Sequence, residues 1–391
     1  MLQNFSLLEL VIYAILWSTI GGLPGFYLFF TLNRNPRYGA WIGIGVGLLV
    51  GFGGALIGAF ISAADLINAT LLLWLVVLII GIVLTTLGLG RGNHNQTASL
   101  RQRITDFAYG LLLPTFAIVM AIVVFPMIWN IVLAFRPVRL RDLPDLQLFA
   151  LNDLSLVNFE RMLNTRGFTD TLLRTFIYTI TGTLLAILMG FLAALVVKDS
   201  FRGRNIVRGF MLFPYIAPIV SVALIWQLLL NAQFGLVNEM IDAFGGRRTD
   251  FLNTPGVAFT FVILFQAWRY FPFAFLFILA RIQAIPDDIY EAAKVDGAAP
   301  SQRLWHVTLP QLRAVFGTLF LLRFIWTFNK FDDVYLLTGG AAGTKLITIE
   351  VYDQLFGARN VGAASATALI LAAVLIVVVL IYFRWFMVEE N

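Results

Sequence analysis

IPDDIYEAAKVDGAAPSQRLWHVTLPQL, residues 285–312, is a polar and charged island between two long apolar segments. Tethered on both sides to runs long enough to cross a bilayer, it must lie outside the membrane, in reach of another protein. Pro286 can occupy the first turn of a helix, where its missing N–H costs nothing. Asp287, Asp288 and Glu291 put negative charge near the positive end of that helix. Gly297 is a C-terminal stop, and Ala298 and Ala299 leave room for a close backbone approach. Pro300 restarts the chain, and Ser301–Leu309 carries Leu304, Trp305 and Thr308 at helical spacing before Pro310 admits the next helix. The expectation is a small helix-turn-helix knob. The alternative is an amphipathic loop lying on the membrane surface, which accounts for Arg303 and Trp305 equally well.

Composition sets the frame. Of 391 residues, 60% are hydrophobic and only 13% charged, with a mean hydropathy of +0.86, which excludes an ordinary soluble globule. Apolar runs near the roughly 20 residues needed to cross a bilayer fall at about 8–31, 39–61, 70–90, 107–133, 172–197, 206–231, 256–280, 313–331 and 362–386. The fold class expected is therefore an all-α polytopic membrane protein of about nine transmembrane helices. The first run has no basic leader and continues through Gly21, Gly22 and Pro24, so it reads as a retained span rather than a cleaved signal. Pro214, Pro218 and Pro272 fall inside spans, where they permit kinks.

Lys and Arg collect in alternate connections: Arg34 and Arg37; Arg91, Arg101 and Arg103; Lys198, Arg202, Arg204 and Arg208. By the positive-inside rule these are cytoplasmic, and simple alternation puts the island at 285–312 on the same side. Met1 is then outside and Asn391 inside, with Arg136, Arg139 and Arg141 arguing the other way. The formal charge of +5 reads as the basic excess of loops beside anionic lipid, with no nucleic-acid signal. There are no cysteines, the two histidines are His94 and His306, and no GxxxxGK[ST] phosphate loop occurs. No metal site, disulfide framework or ATP hydrolysis by that route is expected of this chain.

Two blocks follow from composition. Residues 1–105 hold three spans dense in glycine, including Gly43, Gly47, Gly51, Gly54 and Gly58, while 106–391 holds six spans and the island. The order Glu291-Ala292-Ala293, Gly297, Val307-Thr308-Leu309-Pro310 resembles the EAA loop of ABC-importer membrane subunits. The second block as a whole resembles the maltose-transporter type of sugar permease, a six-helix type I importer core. The likeness also rests on Leu212-Phe213-Pro214-Tyr215 with Pro218, Phe234-Gly235-Leu236-Val237-Asn238, Ala267-Trp268 with Pro272, Asn329-Lys330-Phe331-Asp332, and Leu337-Thr338-Gly339-Gly340. It departs at Ala341-Ala342-Gly343, where relatives often have proline, and in the modest loop Ala134–Asp170, where the enteric maltose subunit has a folded insertion.

The resemblance implies a non-catalytic membrane subunit of a bacterial or archaeal cytoplasmic (inner) membrane importer. Its partners would be a second permease, two ABC ATPase subunits carrying ATP and Mg, and an extracytoplasmic solute-binding protein. The island would be the coupling helix, with Glu291, Ala292, Ala293, Asp296, Gly297, Leu309 and Pro310 at the ATPase. Polar groups at membrane depth mark the path: Arg323, Thr327 and Lys330 recur along one helical stripe, and Arg269, Tyr270 and Phe273 surround Pro272. These align with sugar-contacting positions of the family, where aromatic faces stack on sugar rings. Alternatively Arg323 and Lys330 pair with Asp332 or Asp333, or snorkel to an interface, and Phe273 is packing. The cationic stripe keeps open a second substrate class, a polyol phosphate such as glycerol 3-phosphate. An ATP-independent secondary transporter would have no use for the island. An intramembrane enzyme would need an acid pair or nucleophile that the adjacent Asp332 and Asp333, pointing different ways, do not supply.

Overall fold

A computed structural model describes residues 115, 118–143, 146 and 154–386. The three leading spans and the boundary near 105 lie outside the described residues. Two compact units are present, Met1–Val132 with Val138–Leu154, and Leu133–Pro137 with Ser155–Asn391. In the first, a π-helical turn, Met120–Val124, leads into the apolar helix α1 (Phe125–Ala134). The second unit carries the helices from Val157 onward.

All regular structure among the described residues is helical. After α1 come α2 (Val157–Leu163), α3 (Phe168–Val197), α4 (Arg204–Ile216), α5 (Ile219–Leu229), α6 (Leu236–Ala243) and α7 (Val257–Gln283). Then follow α8 (Asp287–Val295), α9 (Pro300–Arg303), α10 (Leu309–Phe328), α11 (Asp332–Thr338), α12 (Ile347–Tyr352) and α13 (Val361–Phe386). Among the described residues four helices are long and apolar enough to cross a membrane: α3, α7, Pro300–Phe328 and α13. The expected continuous span at 206–231 is instead two helices, α4 and α5, meeting at 94°. Ala217 before Pro218 is extended (φ −61°, ψ 142°) because the proline ring disfavours helical geometry in the residue that precedes it. Pro214, by contrast, stays within α4, and Pro272 within α7.

The α3–α7 pair is the most extensive helix contact among the described residues. Its cause is legible in α3: Gly182, Ala186, Gly190 and Ala194 fall four residues apart on one buried face. Small residues at this spacing let two helix backbones approach without a hydrophobic driving force. A Cβ at Gly190 would stand 2.7 Å from the Phe275 nitrogen, 2.8 Å from the Ala274 Cβ and 2.9 Å from the Phe271 carbonyl oxygen. Gly182 faces Gln266 in the same way. The contacts advance together along both chains, so α3 and α7 run parallel. Their C-terminal ends, and hence the basic connection after Val197 and the island after Gln283, emerge on one side, as alternation expected.

Around this pair lie three apolar clusters. Ala193, Val197, Ile278, Ile282 and Leu312 fill the end near the island. Tyr178, Val222, Phe265, Val334 and Leu346 join α5 and α11 further along, and Met162, Phe168, Phe328 and Ala363 close the opposite end. Asn238 of the Phe-Gly-Leu-Val-Asn motif is buried and bonds the Asn231 and Thr249 carbonyls at 3.0 Å each, stapling the loop around α6.

Gly190→Val should lower stability by about 2–3 kcal/mol, since the groups it meets are largely backbone and cannot yield. Gly209→Ala, with open space around it, should cost nothing. Thermal unfolding of the two purified variants in detergent checks both.

Candidate functional site

The island folds as a knob. Pro286 stands at the N-cap of α8 rather than in its first turn, one residue earlier than expected. Gly297 has φ +76°, its N–H bonds the Lys294 carbonyl at 3.0 Å, and the Ala298 N–H bonds Ala293 at 2.9 Å. That pair of bonds is the Schellman stop, which requires a left-handed residue and so favours glycine here. Gln302 reaches back to the Ala299 N–H at 2.7 Å and opens α9. A π turn, Leu304–Thr308, then joins α9 to α10 without interruption. It loosens the hydrogen-bond ladder just where Pro310, with no N–H, enters the helix.

Glu291, Ala292, Asp296, Gly297 and Pro310 are exposed, and Ala293 and Leu309 are half-buried. Val295 is 88% exposed and Trp305 67%, so the knob presents apolar as well as acidic surface. Three residues that the sequence reading missed shape it. Tyr290 Oη lies 3.0 Å from Thr308 Oγ1, tying α8 to the π turn. Arg281 donates to the Gln311 carbonyl at 3.2 Å and to Gln311 Oε1 at 2.8 Å, closing the base between α7 and α10.

At the other end of these two helices is a polar cluster. Gln266 Nε2 donates to Thr327 Oγ1 at 3.0 Å, and Arg323 Nη2 donates to the same oxygen at 3.2 Å. The Arg323 guanidinium lies 4.2 Å from the centre of the Tyr270 ring, and Lys330 Nζ lies 4.9 Å from it. Lys330 also pairs with Asp332 at 3.1 Å. Tyr270 Oη donates to Asp333 Oδ1 at 3.3 Å and Tyr178 Oη to Oδ2 at 3.5 Å. Asp333 is fully buried; the sequence offered it as a partner for Arg323 or Lys330, whereas its bonds to Tyr270 and Tyr178 were not foreseen and Tyr178 was not singled out. Arg323, Thr327, Lys330 and Tyr270 are thus brought together.

Arg269 is placed differently. Its Nη1 and Nη2 donate at 3.0 Å to the carbonyls of Pro214 and Ala217, at the break between α4 and α5. Phe273 sits among aromatic rings, 5.2 Å from Trp326 and 4.8 Å from Phe277. Gln266 Oε1, Arg269 Nε and Arg323 Nε are buried and have no hydrogen-bond partner among the described residues. Such unmet capacity at membrane depth suits water or a hydroxyl-rich solute.

This architecture has known relatives. Residues 186–387, from the middle of α3 through the knob and the cluster to the end of α13, match the family model described as binding-protein-dependent transport system inner membrane component. The chain belongs to this family of transport permeases. It is 33% identical over 279 residues to the inner membrane ABC transporter permease protein YcjO of Escherichia coli, covering 70% of this chain and 92% of that one. It is 28% identical over 296 residues to the trehalose/maltose transport system permease protein MalF of Thermococcus litoralis, covering 75% and 97%. A crystal structure of a bacterial ABC transporter that imports the acidic polysaccharide alginate shares the fold, with a TM-score of 0.65, 23% identity and coverage of 73% and 96%.

At the opposite end of the permease from the knob, a cavity of about 190 Å³ lies at the start of α3, lined by Arg166, Asp170, Arg174, Lys345 and Glu350. Lys345 pairs with Glu350 at 2.7 Å and with Asp353 at 2.6 Å. Burial acts to lower the Lys345 amine, but its bonds to Asp353 and Glu350 outweigh that and hold it above its ordinary value. Burial likewise acts to raise the Glu350 carboxyl, and bonds from Lys345 and Gln354 hold it below the usual range.

Thr327→Val should destabilise the permease by about 1–3 kcal/mol, because two buried donors lose their acceptor, and Thr327→Ser should restore most of it; thermal unfolding reads both. The ion pair has its own signature. Glu350, depressed when folded, stabilises above its unfolded value and loses this as pH falls; Lys345, raised when folded, loses its share as pH rises through its folded value. The gap in melting temperature between wild type and Lys345→Met should be widest near neutrality and shrink below about pH 4.

Proposed function

We propose that this permease is the translocating subunit of an ATP-driven importer of neutral oligosaccharides in a bacterial or archaeal cytoplasmic membrane. It works with a second permease, two ATPase subunits that bind ATP and Mg, and an extracytoplasmic solute-binding protein. Its N-terminus is outside and its C-terminus in the cytoplasm, and three helices within 1–105 precede a six-helix core. Glu291, Ala292, Ala293, Asp296, Gly297, Leu309 and Pro310 form the face that the ATPase grips. Closure of the ATPase dimer on ATP moves this knob and, through α7 and α10, switches the path between inward and outward access. Catalysis of ATP hydrolysis belongs to the partners.

The observation that carries the sugar reading is the polar cluster itself. Its aromatic ring and unmet donors and acceptor match what a sugar offers, flat apolar faces and hydroxyls that both donate and accept. Tyr270, Phe273, Arg323, Thr327 and Lys330 supply this surface, with Arg269 behind them. Charge favours a neutral solute over a polyol phosphate, since Lys330 is paired with Asp332 and buried Asp333 lies among the cations. Relatives point the same way by name, among them a galactooligosaccharide permease and a maltodextrin permease of Bacillus subtilis.

Affinity purification of the tagged permease from native membranes should recover an ATPase and a second permease in stoichiometric amounts. Glu291→Lys with Gly297→Asp should lose the ATPase and keep the second permease. Uptake in the same host should be inhibited by maltotriose and not by glycerol 3-phosphate; the reverse order would transfer the reading to polyol phosphates. Recovery of the wild-type chain alone would sink the importer assembly.

A further inference from the structure

The break between α4 and α5 leaves the last carbonyls of α4 without helical partners, and such groups need another donor, most of all where lipid surrounds them. The carbonyls of Pro214, in the last turn of α4, and of Ala217, its C-cap, accept bonds of 3.0 Å from the two terminal nitrogens of one side chain, Arg269. The guanidinium is 8% exposed and sits at the C-terminal, negative end of α4. A planar fork with fixed donor directions can bridge two carbonyls in a way that a lysine's point charge does not. Arg269 belongs to α7 and lies between the two places where α7 is pressed against α3, at Gln266 beneath Gly182 and at Phe271–Phe275 beneath Gly190. The break is therefore fastened to a helix that is itself closely packed on α3. Beyond it, α5 holds α11 through Gln227, whose Nε2 donates to the Leu336 carbonyl at 2.7 Å.

The geometry points to Arg269 as a positioning residue that clamps the 94° break to α7, so that movement at the knob is passed through α7 to α5 and on to α11. This rests on the coupling role of the knob put forward above. It also reassigns Arg269 from solute contact to transmission. The load path is continuous: Gln283 at the knob end of α7, Arg269 in its middle, the Pro214 and Ala217 carbonyls, then Gln227 and α11, which carries Asp333.

The chain has no cysteine, so Ile206→Cys and Leu228→Cys, both at exposed helical positions either side of the break, accept spin labels without background from this subunit. Distances are measured in the membrane-embedded complex, without nucleotide and after trapping with ATP, Mg and vanadate. Without nucleotide the wild type should give one narrow distribution, Arg269→Gln one at least about twofold broader, and Arg269→Lys an intermediate one. Trapping should shift the wild-type mean and leave the Arg269→Gln mean in place while the ATPase still co-purifies. A nucleotide-free Arg269→Gln distribution that superimposes on wild type would overturn the clamp. A broadened variant that still shifts on trapping would overturn the transmission. No wild-type shift on trapping would instead overturn the coupling role of the knob, and the nucleotide-free arm would still decide the clamp.

Discussion

The close approach of α3 and α7 is the constraint on which the remaining geometry depends. In lipid, helices gain little from burying apolar surface against each other, so packing distance and internal hydrogen bonds decide their arrangement. The Gly182, Ala186, Gly190, Ala194 face removes the side chains that would hold the two backbones apart. With α7 fixed at that depth, Gln266 meets Thr327, Tyr270 meets Asp333 and Arg269 meets the broken span. Each of these polar contacts is short-ranged, and a shift of α7 by one or two ångströms relative to α10, α11 and the broken span would weaken or break them.

The broken span shows how the cost of irregular backbone at membrane depth is met. Pro218 forces the chain out of helical geometry, and the freed carbonyls need donors that lipid does not offer. An arginine supplies them from a neighbouring helix and keeps its charge near the negative end of a helix dipole. Lys330 with Asp332, and the two tyrosine hydroxyls on Asp333, apply the same rule to α11. Charge at this depth is present throughout, and Lys330, Asp332 and Asp333 each have partners within a few ångströms.

What could be read from sequence was mostly local. The knob was legible because its charge pattern, Gly297 and Pro300 act within a few residues of themselves, and Gly297 indeed takes a positive φ. The pairing of Lys330 with Asp332, raised as an alternative, is two residues long and was equally visible. Arg269 was not, because its partners lie 55 and 52 residues away, and proximity to Pro272 suggested a different task. The same holds for Tyr178 and Asp333, 155 residues apart. A missed signal did exist in α3: the four-residue spacing of small residues marks the face that meets α7. The prolines at 214 and 218 announced some distortion, but neither the 94° angle nor the donors that meet the freed carbonyls from another helix could be read locally.

The two helices that leave the knob, α7 and α10, are joined at both ends. Near the knob Arg281 holds Gln311, and far from it Gln266 holds Thr327 while Arg323 stacks on Tyr270. A pair of stiff rods fastened at both ends cannot change its spacing at one end alone without straining or breaking the bonds at the other. The lower fastening is partly exposed and tolerates rearrangement in water, whereas the upper one has no alternative partner except a solute or a few water molecules. Opening the upper end therefore costs more than opening the lower one, unless other polar groups replace the bonds that are lost. The polar bonds of the upper cluster and the spacing of the two helices that leave the knob are thus linked through the same few side chains.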